Sequence, residues 1–470
     1  MNRNPRPTHG LSRAISTARR AAHRVPAYAK HLAAHGKNLD ELTDREHFEA
    51  LPPVTKEEYI RVNVPADLVW DGDLGRAGAW SASSGSSGEP TFWPRAQAAR
   101  DDAAQAHGRI FTESFDTRAV TTLVVDAFAM GTWIGGTYTY TAVQDLAERG
   151  HQVSVVTPGI EVTTVLNCLE YLGPQFDQVI LAGYPPVIKD VLDAASTNLR
   201  KVGLLLAGEG VSEAMRDYFL NRLDAYDRPE RVCLIYGTAD AGLMGHETPE
   251  TIAIRRAARP GSDLAGALFG ADKVIPTFVE YDPERRYVEV DDDGLLYFTV
   301  DTALPLIRYR LGDRGELHSG DQLAGLLCEA GRADLAAPLD PRGSFLLLRD
   351  RIDVAATFYG ANLYAEHLKP AMLAPAVVRE VSGRFSLSVD EDADLRPQLQ
   401  VVVEAMGSSI ADDLADRLTT VCRDALAEHN TEYRRLVAEY GPVADPRISV
   451  VPRGVQSSGP SIKQKWIEAN

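Results

Sequence analysis

The alternation of short apolar runs with helical stretches between residues 120 and 236 constrains the fold most strongly. Predicted strands lie at 120–125, 153–156, 178–181, 202–206 and 232–236, and predicted helices near 163–171, 186–195 and 213–223. This alternation is typical of βαβ units and predicts a largely parallel sheet. Ligands bind such sheets at the carboxyl ends of the strands, so the loops that follow these runs are candidates for a site.

The rest of the chain predicts a second, smaller domain. From residue 273 the pattern changes to short alternating strands with acidic turns, which indicates antiparallel structure. Beyond residue 351 the order strand, strand, helix, strand predicts a compact α+β unit. We therefore expect an α/β protein with a large N-terminal domain of mixed and parallel sheets with flanking helices (1–350) and a small mobile α+β C-terminal domain (351–470).

Charge and composition exclude several classes of partner. The formal charge of −17, with no run of basic residues, argues against nucleic-acid binding. No apolar stretch follows the N-terminus and no window approaches ~18 apolar residues, so we expect no signal peptide, no membrane partner and a cytoplasmic location. The four cysteines stand singly, which favours reduced thiols. The oligomeric state stays open, with a homodimer as one alternative.

A run of only serine and glycine from Ser83 to Gly88 is a candidate phosphate-binding loop. Glycines let backbone N–H groups approach an anion, and the hydroxyls add donors. A flexible linker is the competing interpretation. The run is not a Walker loop, because Glu89 stands where that motif has lysine.

The segment from Phe128 to Tyr138 alternates small with large apolar residues. This pattern suits either a helix that leaves room for an apolar ligand or a tightly packed core helix. Its large members include Phe128, Met130, Trp133 and Tyr138, and Gly135 is one of the small ones. Their aromatic character suggests an aryl or other flat apolar ligand.

A series of short motifs, in order along nearly the whole chain, carries a family resemblance. They are VPAY (25–28), LPPVTK (51–56), SSGSSGEPT (83–91), AGEGVSEAMR (207–216), YGTAD (236–240), RYRLGD (308–313), and DRID with GANLY (350–353 and 360–364). Together they resemble the phenylacetate-coenzyme A ligase group of the adenylate-forming superfamily, which includes acyl-CoA synthetases, adenylation domains and luciferases. The resemblance favours the phosphate-loop interpretation of residues 83–88 over the linker.

The resemblance implies ATP-dependent activation of a small-molecule carboxylic acid. The carboxylate would attack the α-phosphate of ATP, pyrophosphate would leave, and the acyl-adenylate would meet a nucleophile, usually the thiol of coenzyme A. The implied ATP-binding residues are Ser83, Ser84, Gly85, Ser86, Ser87, Gly88, Gly208, Glu209, Tyr236, Gly237, Thr238, Arg308, Asp313 and Arg351. Among them, Tyr236 would stack near the adenine and Asp313 would accept hydrogen bonds from the ribose. Asp240 would coordinate Mg²⁺, and Asp353 would be the hinge of the small domain. The pocket for the acid would be lined by the segment that contains Phe128, Met130, Trp133, Gly135 and Tyr138, with Tyr184 nearby.

The family also carries a catalytic lysine near the C-terminus, usually within G-K-x-x-R. Here the end reads GPSIKQKWI (459–467), and the register from Ile467 favours Lys463 over Lys465. A solvated surface charge is the alternative for either lysine. This chain departs from the family at three points: Glu89 replaces the loop lysine, Asp240 replaces glutamate, and the terminal lysine lacks its preceding glycine.

The acceptor of the acyl group remains open at this level. Coenzyme A is the first expectation. A carrier-protein thiol or an amine is the alternative, because no coenzyme A signature and no basic patch for its 3′-phosphate is evident. A catalytically inactive nucleotide sensor is a further alternative, motivated by the altered loop and lysine motif.

Overall fold

The computed structural model describes residues 9–37, 42–83, 91–132, 134–208, 210–259, 261–270, 275–351, 355–358, 361–391, 397–407, 410–430, 433–434, 437–438 and 441–454. The helices are α1 (Leu11–Arg24), α2 (Pro26–Ala34), α3 (Arg45–Glu49), α4 (Pro65–Leu68), α5 (Gln97–Glu113), α6 (Ile134–Glu148), α7 (Val162–Tyr171), α8 (Pro185–Ala194), α9 (Glu213–Leu223), α10 (Pro249–Ala257), α11 (Asp263–Phe269), α12 (Gly320–Glu329), α13 (Ala333–Ala336), α14 (Ala365–Met372) and α15 (Leu414–His429). The strands are β1 (Ala79–Ser83), β2 (Thr91–Arg95), β3 (Thr122–Asp126), β4 (Val153–Val156), β5 (Gln178–Gly183), β6 (Val202–Ala207), β7 (Val232–Thr238), β8 (Gly242–His246), β9 (Thr277–Glu280), β10 (Arg286–Val290), β11 (Leu295–Val300), β12 (Leu306–Ser319), β13 (Ser344–Arg351), β14 (Ala355–Phe358), β15 (Ala361–Tyr364), β16 (Val381–Glu391), β17 (Pro397–Ala405) and β18 (Arg447–Val451).

An 11-stranded mixed sheet forms the centre of the large domain, in the order β10-β11-β12-β13-β9-β8-β7-β6-β5-β3-β4. Its β7-β6-β5-β3-β4 half is parallel. The remaining neighbours pair antiparallel. The expected α/β fold class, with its parallel and antiparallel halves, is confirmed.

Both faces of the parallel half are buried, which explains its continuous apolar strands. In β6, Leu204 and Leu206 belong to one core cluster and Leu205 to another. Successive side chains of a strand point to opposite faces, so each cluster fills one side of the sheet. Helix α9 begins where the sequence predicts because Ser212 caps it, accepting a hydrogen bond from Met215 N–H at 3.1 Å.

The small domain has its own three-stranded sheet, in the order β16-β17-β18. Leu387 and Val401 of this sheet pack with Leu418 and Cys422 of α15 in a separate apolar cluster. A domain with its own core is what the strand, strand, helix, strand pattern predicts. The boundary between residues 350 and 351 stays a prediction.

A two-stranded hairpin frames the serine- and glycine-rich run. Strands β1 and β2 pair antiparallel, and Ser83 opposite Thr91 is their last pair. The residues on either side of 84–90 therefore face each other in one hairpin. Among the described residues, no helix is both long enough and apolar enough to cross a membrane.

Candidate active site

Four strands of the parallel half are followed by predicted site residues, and these positions lie at one edge of the sheet. Met130 follows β3, Tyr184 follows β5, Gly208 follows β6, and Asp240 follows β7. Because these strands are parallel, their carboxyl ends share that edge. Gly208 has φ +91°, a left-handed conformation that glycine adopts without steric cost.

Asp240 lies in the turn between β7 and β8 and is buried. Its Oδ2 accepts a 2.6 Å hydrogen bond from the Tyr309 hydroxyl and lies 3.3 Å from the Lys56 ammonium. Lys56 also sits over the Trp93 ring, 5.7 Å from its centroid. A carboxylate, a lysine and two aromatic rings thus meet beside the hairpin.

The N-terminal helical region, residues 11–60, which we call the lead-in segment, places Lys56 at this point. Val54 forms an isolated parallel bridge with Tyr309 of β12. Thr55 then caps a short π-helical turn, Lys56–Ile60, by accepting a hydrogen bond from Glu58 N–H at 3.1 Å. A chain fixed to β12 at Val54 delivers the next lysine to the Asp240 turn.

Arg95 fastens the hairpin to the same turn. Its Nε donates to Ser81 Oγ at 2.8 Å, and its Nη2 donates to the Ala239 carbonyl. Burial lowers the pKa of Arg95 to about 10, so the guanidinium is still charged at neutral pH. The two strands that frame residues 84–90 are therefore tied to the residue that precedes Asp240.

Tyr236 and Asp313 come from separate motifs and meet here. The Tyr236 hydroxyl donates a 2.5 Å hydrogen bond to Asp313 Oδ2. Thr238, two residues further on, accepts a 2.9 Å hydrogen bond from Ala241 N–H at its Oγ1, which shapes the turn. Gly237 lies between them, at the point where the β7–β8 register shifts.

Three predicted pocket residues pack on each other. The rings of Phe128 and Tyr184 meet edge to face, with centroids 5.0 Å apart. A Cβ on Gly135 would lie 3.1 Å from the Tyr184 hydroxyl oxygen and 3.2 Å from Phe128. A side chain at Gly135 would require these rings to shift by a few tenths of an ångström, so glycine suits the close approach of α6 to them. Met130 approaches the same helix, because a Cβ on Gly136 would lie 2.4 Å from its sulfur.

Tyr138 lies in more polar surroundings than Phe128 and Tyr184 do. Burial, with the nearby Asp102 carboxylate, raises the pKa of its hydroxyl. Asp102 is paired with Arg285 at 3.0 Å and with Arg286. The Tyr138 ring also lies 5.8 Å from the His107 ring, centroid to centroid. Its phenol end belongs to a buried charged cluster.

The described contacts of Arg308 are with Glu289 and with two backbone carbonyls rather than with Asp313. Its Nε lies 3.0 Å from Glu289, and its Nη1 donates to the Leu51 carbonyl at 2.5 Å and to the Glu49 carbonyl. These bonds hold the lead-in segment against β12. A contribution of Arg308 to nucleotide binding stays a prediction.

Several predicted residues cannot be placed. Ser84, Gly85, Ser86, Ser87, Gly88, Trp133, Glu209, Asp353, Lys463 and Lys465 lie outside the described residues. Ser83 and Arg351 are placed in strands β1 and β13 by their backbone alone. The choice between Lys463 and Lys465 therefore stays open.

The sequence interpretation missed Lys56, Tyr309, Arg95 and Asp126. Lys56 lies in the motif LPPVTK and Tyr309 in the motif RYRLGD, so the sequence contained a signal for both residues, although neither was given a role. Asp126 ends the apolar strand β3 and is wholly buried; its Oδ1 accepts a 3.1 Å hydrogen bond from Phe128 N–H. Burial raises the pKa of Asp126 well above its usual range. The signal for Asp126 in the sequence is an acidic residue at the end of an apolar strand, directly before the segment from Phe128 to Tyr138.

Arg216, from the EAMR motif, belongs to a buried ion network behind the site. Both Glu247 oxygens lie 2.7 Å from Arg216 Nη2, and Arg255 Nη1 lies 2.5 Å from Oε1. Burial opposes ionisation of Glu247, but the two guanidiniums outweigh it and keep its pKa below the usual value. Leu234 N–H of β7 also donates to Glu247 at 3.1 Å, so the network braces the strand that carries Tyr236.

Solved structures of acid-activating ligases share this fold. 2-Hydroxyisobutyryl-CoA ligase in the postadenylation state with 2-HIB-AMP matches with a TM-score of 0.62 at 17% identity, over 100% of this chain and 90% of that one. The same ligase with 2-HIB-AMP and CoA in the thioesterification state matches with a TM-score of 0.54 at 16% identity, over 99% and 91%. The acyl acid amido synthetase AtGH3.15 in complex with 2,4-DB matches with a TM-score of 0.59 at 14% identity, over 98% and 92%. No protein-family model and no curated protein matches the sequence.

At these identities the likeness establishes the fold, which is that of the adenylate-forming enzymes. The solved structures span both coenzyme A ligases and an amido synthetase, so the fold is common to two kinds of acceptor chemistry. The narrower resemblance to the phenylacetate-coenzyme A ligase group stays a prediction.

Proposed function

We propose that this protein activates a carboxylic acid with ATP, releasing pyrophosphate and forming an acyl-adenylate. The observation that carries the proposal is the convergence of Lys56, Asp240 and Tyr309 beside the hairpin that frames the serine- and glycine-rich run. In such chemistry the protein mainly positions the reactants and neutralises charge. Tyr236 and Asp313, joined at 2.5 Å, supply a polar position for the nucleoside.

Asp240 is the proposed Mg²⁺ ligand. No group of three or more His, Cys, Asp or Glu side chains within the described residues could hold a metal alone. Mg²⁺ that arrives with nucleotide phosphates needs only one or two protein carboxylates, so a single buried carboxylate fits. When bound, the ion would neutralise charge on the phosphates. Lys56 offers a second positive charge at the same place.

The proposed acid is aryl or otherwise flat and apolar. The edge-to-face pair of Phe128 and Tyr184, with Gly135 against it, supports this by its aromatic character and by its place after the carboxyl ends of β3 and β5. Both rings are buried in the apolar core, so the proposed acid would pack against the rim of that core. Aromatic side chains supply large apolar contact areas to such ligands. Tyr138 and its charged neighbours would bound the pocket on a polar side.

Coenzyme A is the proposed acceptor, with an amine or a carrier-protein thiol as the alternative. Ligases of 2-hydroxyisobutyrate that bind CoA share the fold, which supports the first choice. The similarity to an amido synthetase supports the alternative. Lys463 or Lys465 is proposed to contact the carboxylate and α-phosphate in the first step, and Asp353 to act as the hinge between the two steps.

Pyrophosphate release tests the proposal. Wild-type protein, ATP and Mg²⁺ are combined with single aromatic and aliphatic acids, with and without coenzyme A, and with hydroxylamine as a surrogate amine. Acid-dependent release that rises with coenzyme A supports the ligase. Release that rises with hydroxylamine but not with coenzyme A shows that an acyl-adenylate is formed and trapped, and it moves the proposed acceptor from coenzyme A to an amine or a carrier-protein thiol. ATP binding without release for any acid would instead indicate a nucleotide sensor.

A further inference from the structure

A charged face of α8 is buried beneath the small domain. Lys189 has no exposed surface and Asp190 is only 1% exposed, although both are charged residues on a helix of the large domain. Charged side chains are rarely buried unless they are paired. Their partners come from both domains, and neither residue has a part in the chemistry proposed above.

Two arginines of the small domain lie within ion-pair distance of the Asp190 carboxylate, although neither carboxylate oxygen accepts a hydrogen bond within the described residues. Its Oδ2 lies 2.8 Å from Arg453 Nη2 and 3.4 Å from Arg384 Nη2. Glu404, fully buried in β17, holds the other side of this cluster: it lies 2.9 Å from Arg384 Nη1 and accepts a 3.0 Å hydrogen bond from Gly454 N–H. The chain at 453–454 is thus fixed to both domains.

Lys189 reinforces the same contact. Its ammonium lies 2.7 Å from Asp193, one turn along α8, and donates to the Val378 carbonyl of the small domain at 3.3 Å. It also sits 5.3 Å from the centroid of the Tyr218 ring. One lysine therefore links α8, α9 and the small domain.

The cluster is stable only while its members stay together. Burial raises the pKa of Asp190 even though Arg384, Arg453 and Lys189 act in the opposite direction. Removing one partner of a buried ion pair leaves an uncompensated charge, which is more costly than the pair itself. If the small domain moves away, water can solvate these charges instead.

The anchor lies close to the proposed site along α8. Tyr184 of the pocket immediately precedes Pro185, and Asp190 follows five residues later, about 8 Å of helix rise. On the other side, Arg453 precedes the proposed catalytic Lys463 by ten residues. An extended chain of that length spans up to about 35 Å, so a lysine tethered at 453 can reach the carboxyl edge of the sheet.

We propose that Asp190 is a positioning residue for the adenylation step: by holding Arg453, it anchors the start of the C-terminal segment on the large domain while the acyl-adenylate forms. This rests on the proposed function. The anchor must be released for the small domain to rotate, so the transfer step does not depend on it.

The test separates the two half-reactions in Asp190→Asn, with Asp217→Asn of α9 as a matched control. Adenylation is measured as acid-dependent ATP–pyrophosphate exchange, and transfer as thioester formation from synthetic acyl-adenylate and coenzyme A. Asp190→Asn should lower the exchange kcat by about 10- to 100-fold, with little change in KM for ATP and with unchanged transfer.

Arg453→Met should do the same, and the double variant should be no worse than either single one. Equal loss in both half-reactions, or unchanged exchange, would overturn the proposal.

A second measurement needs no activity. Spin labels at Tyr171→Cys on α7 and Asp416→Cys on α15, with Cys168 and Cys328 changed to Ser, report the distance between the two domains. Asp190→Asn should broaden the distance distribution, whereas Asp217→Asn should not. An unchanged distribution in Asp190→Asn would refute the anchor. Absence of exchange in the wild type with every acid would instead refute the proposed function.

Discussion

The hydroxyl of Tyr236 donates a 2.5 Å hydrogen bond to Asp313 and so joins β7 of the parallel half to β12 of the antiparallel half. The two residues are 77 positions apart in the chain and belong to different motifs, YGTAD (236–240) and RYRLGD (308–313). The contact brings together two motifs for which the sequence predicts only the order along the chain, and it defines one polar position between them.

Replacing Asp313 by Asn should weaken ATP binding. The carboxylate is a stronger acceptor than an amide, and hydrogen bonds to charged groups contribute about 1.5–3 kcal/mol, so KM for ATP should rise about 10-fold or more. Tyr236→Phe should have a smaller effect, because it removes one donor and keeps the ring. Tyr171→Phe, at an exposed position of α7, is the control. Unchanged ATP binding in Asp313→Asn, measured by calorimetry, would contradict the assignment.

Replacing Lys56 by Met should impair chemistry more than folding. The ammonium lies 3.3 Å from Asp240 in the proposed phosphate region, and loss of a charge that stabilises the transition state typically costs 10²–10³ in kcat. Pyrophosphate release under saturating ATP is the measurement. Lys30→Met is the control, since Lys30 also belongs to the lead-in but is largely exposed and pairs with Asp67. Equal activity of the two variants would exclude a role for Lys56 in the reaction.

Removing Arg216 should destabilise the large domain. Arg216→Met leaves Glu247 buried with only Arg255 opposite it, and breaking a buried pair costs about 3–5 kcal/mol. Urea unfolding should show the loss, whereas Arg228→Met, at a mostly exposed ion pair, should change stability by less than about 1 kcal/mol. A similar small effect in both variants would mean that the network is dispensable.

The stability of the protein should depend on pH through His107. Burial lowers the pKa of His107 to about 4 from its usual 6.5. The unfolded chain then binds more protons than the folded one between these values, so stability is lost as pH falls from about 6.5 to 4. The loss should reach about 2–3 kcal/mol.

His107→Gln should reduce this pH dependence, and the stability difference between variant and wild type, measured by urea unfolding at several pH values, reports it. His107 Nδ1 lies 2.9 Å from the Ala103 carbonyl, four residues back. His35 makes the equivalent contact with the His31 carbonyl but is exposed, so His35→Gln is the control. If the two variants show the same pH slope, the buried neutral state of His107 is refuted.

The sequence predicts the framework well because its signals are local. Strand β4 and helix α9 have the predicted bounds, since apolar periodicity and the Ser212 cap act within a few residues. The contacts that assemble the site are not local. Lys56 meets Asp240 only because Val54 bridges β12, which no periodicity in the lead-in can reveal.

The position of a residue within a motif does not show whether its side chain takes part in the reaction or stabilises the fold. Arg308 contacts Glu289 and the Leu51 carbonyl through its guanidinium, and its contribution to nucleotide binding stays a prediction. Arg216 stands in an equally suggestive motif and braces β7 from behind through Glu247. Both are charged residues in conspicuous motifs, and the motifs alone predict neither set of partners.

The most direct test of acid activation follows oxygen from the acid. An acid that supports pyrophosphate release is labelled with ¹⁸O in its carboxylate and incubated with wild-type protein, ATP, Mg²⁺ and the acceptor, and the AMP is analysed by mass spectrometry. Attack of the carboxylate on the α-phosphate predicts that one labelled oxygen appears in AMP. Unlabelled AMP, or label in inorganic phosphate together with ADP, would contradict an acyl-adenylate.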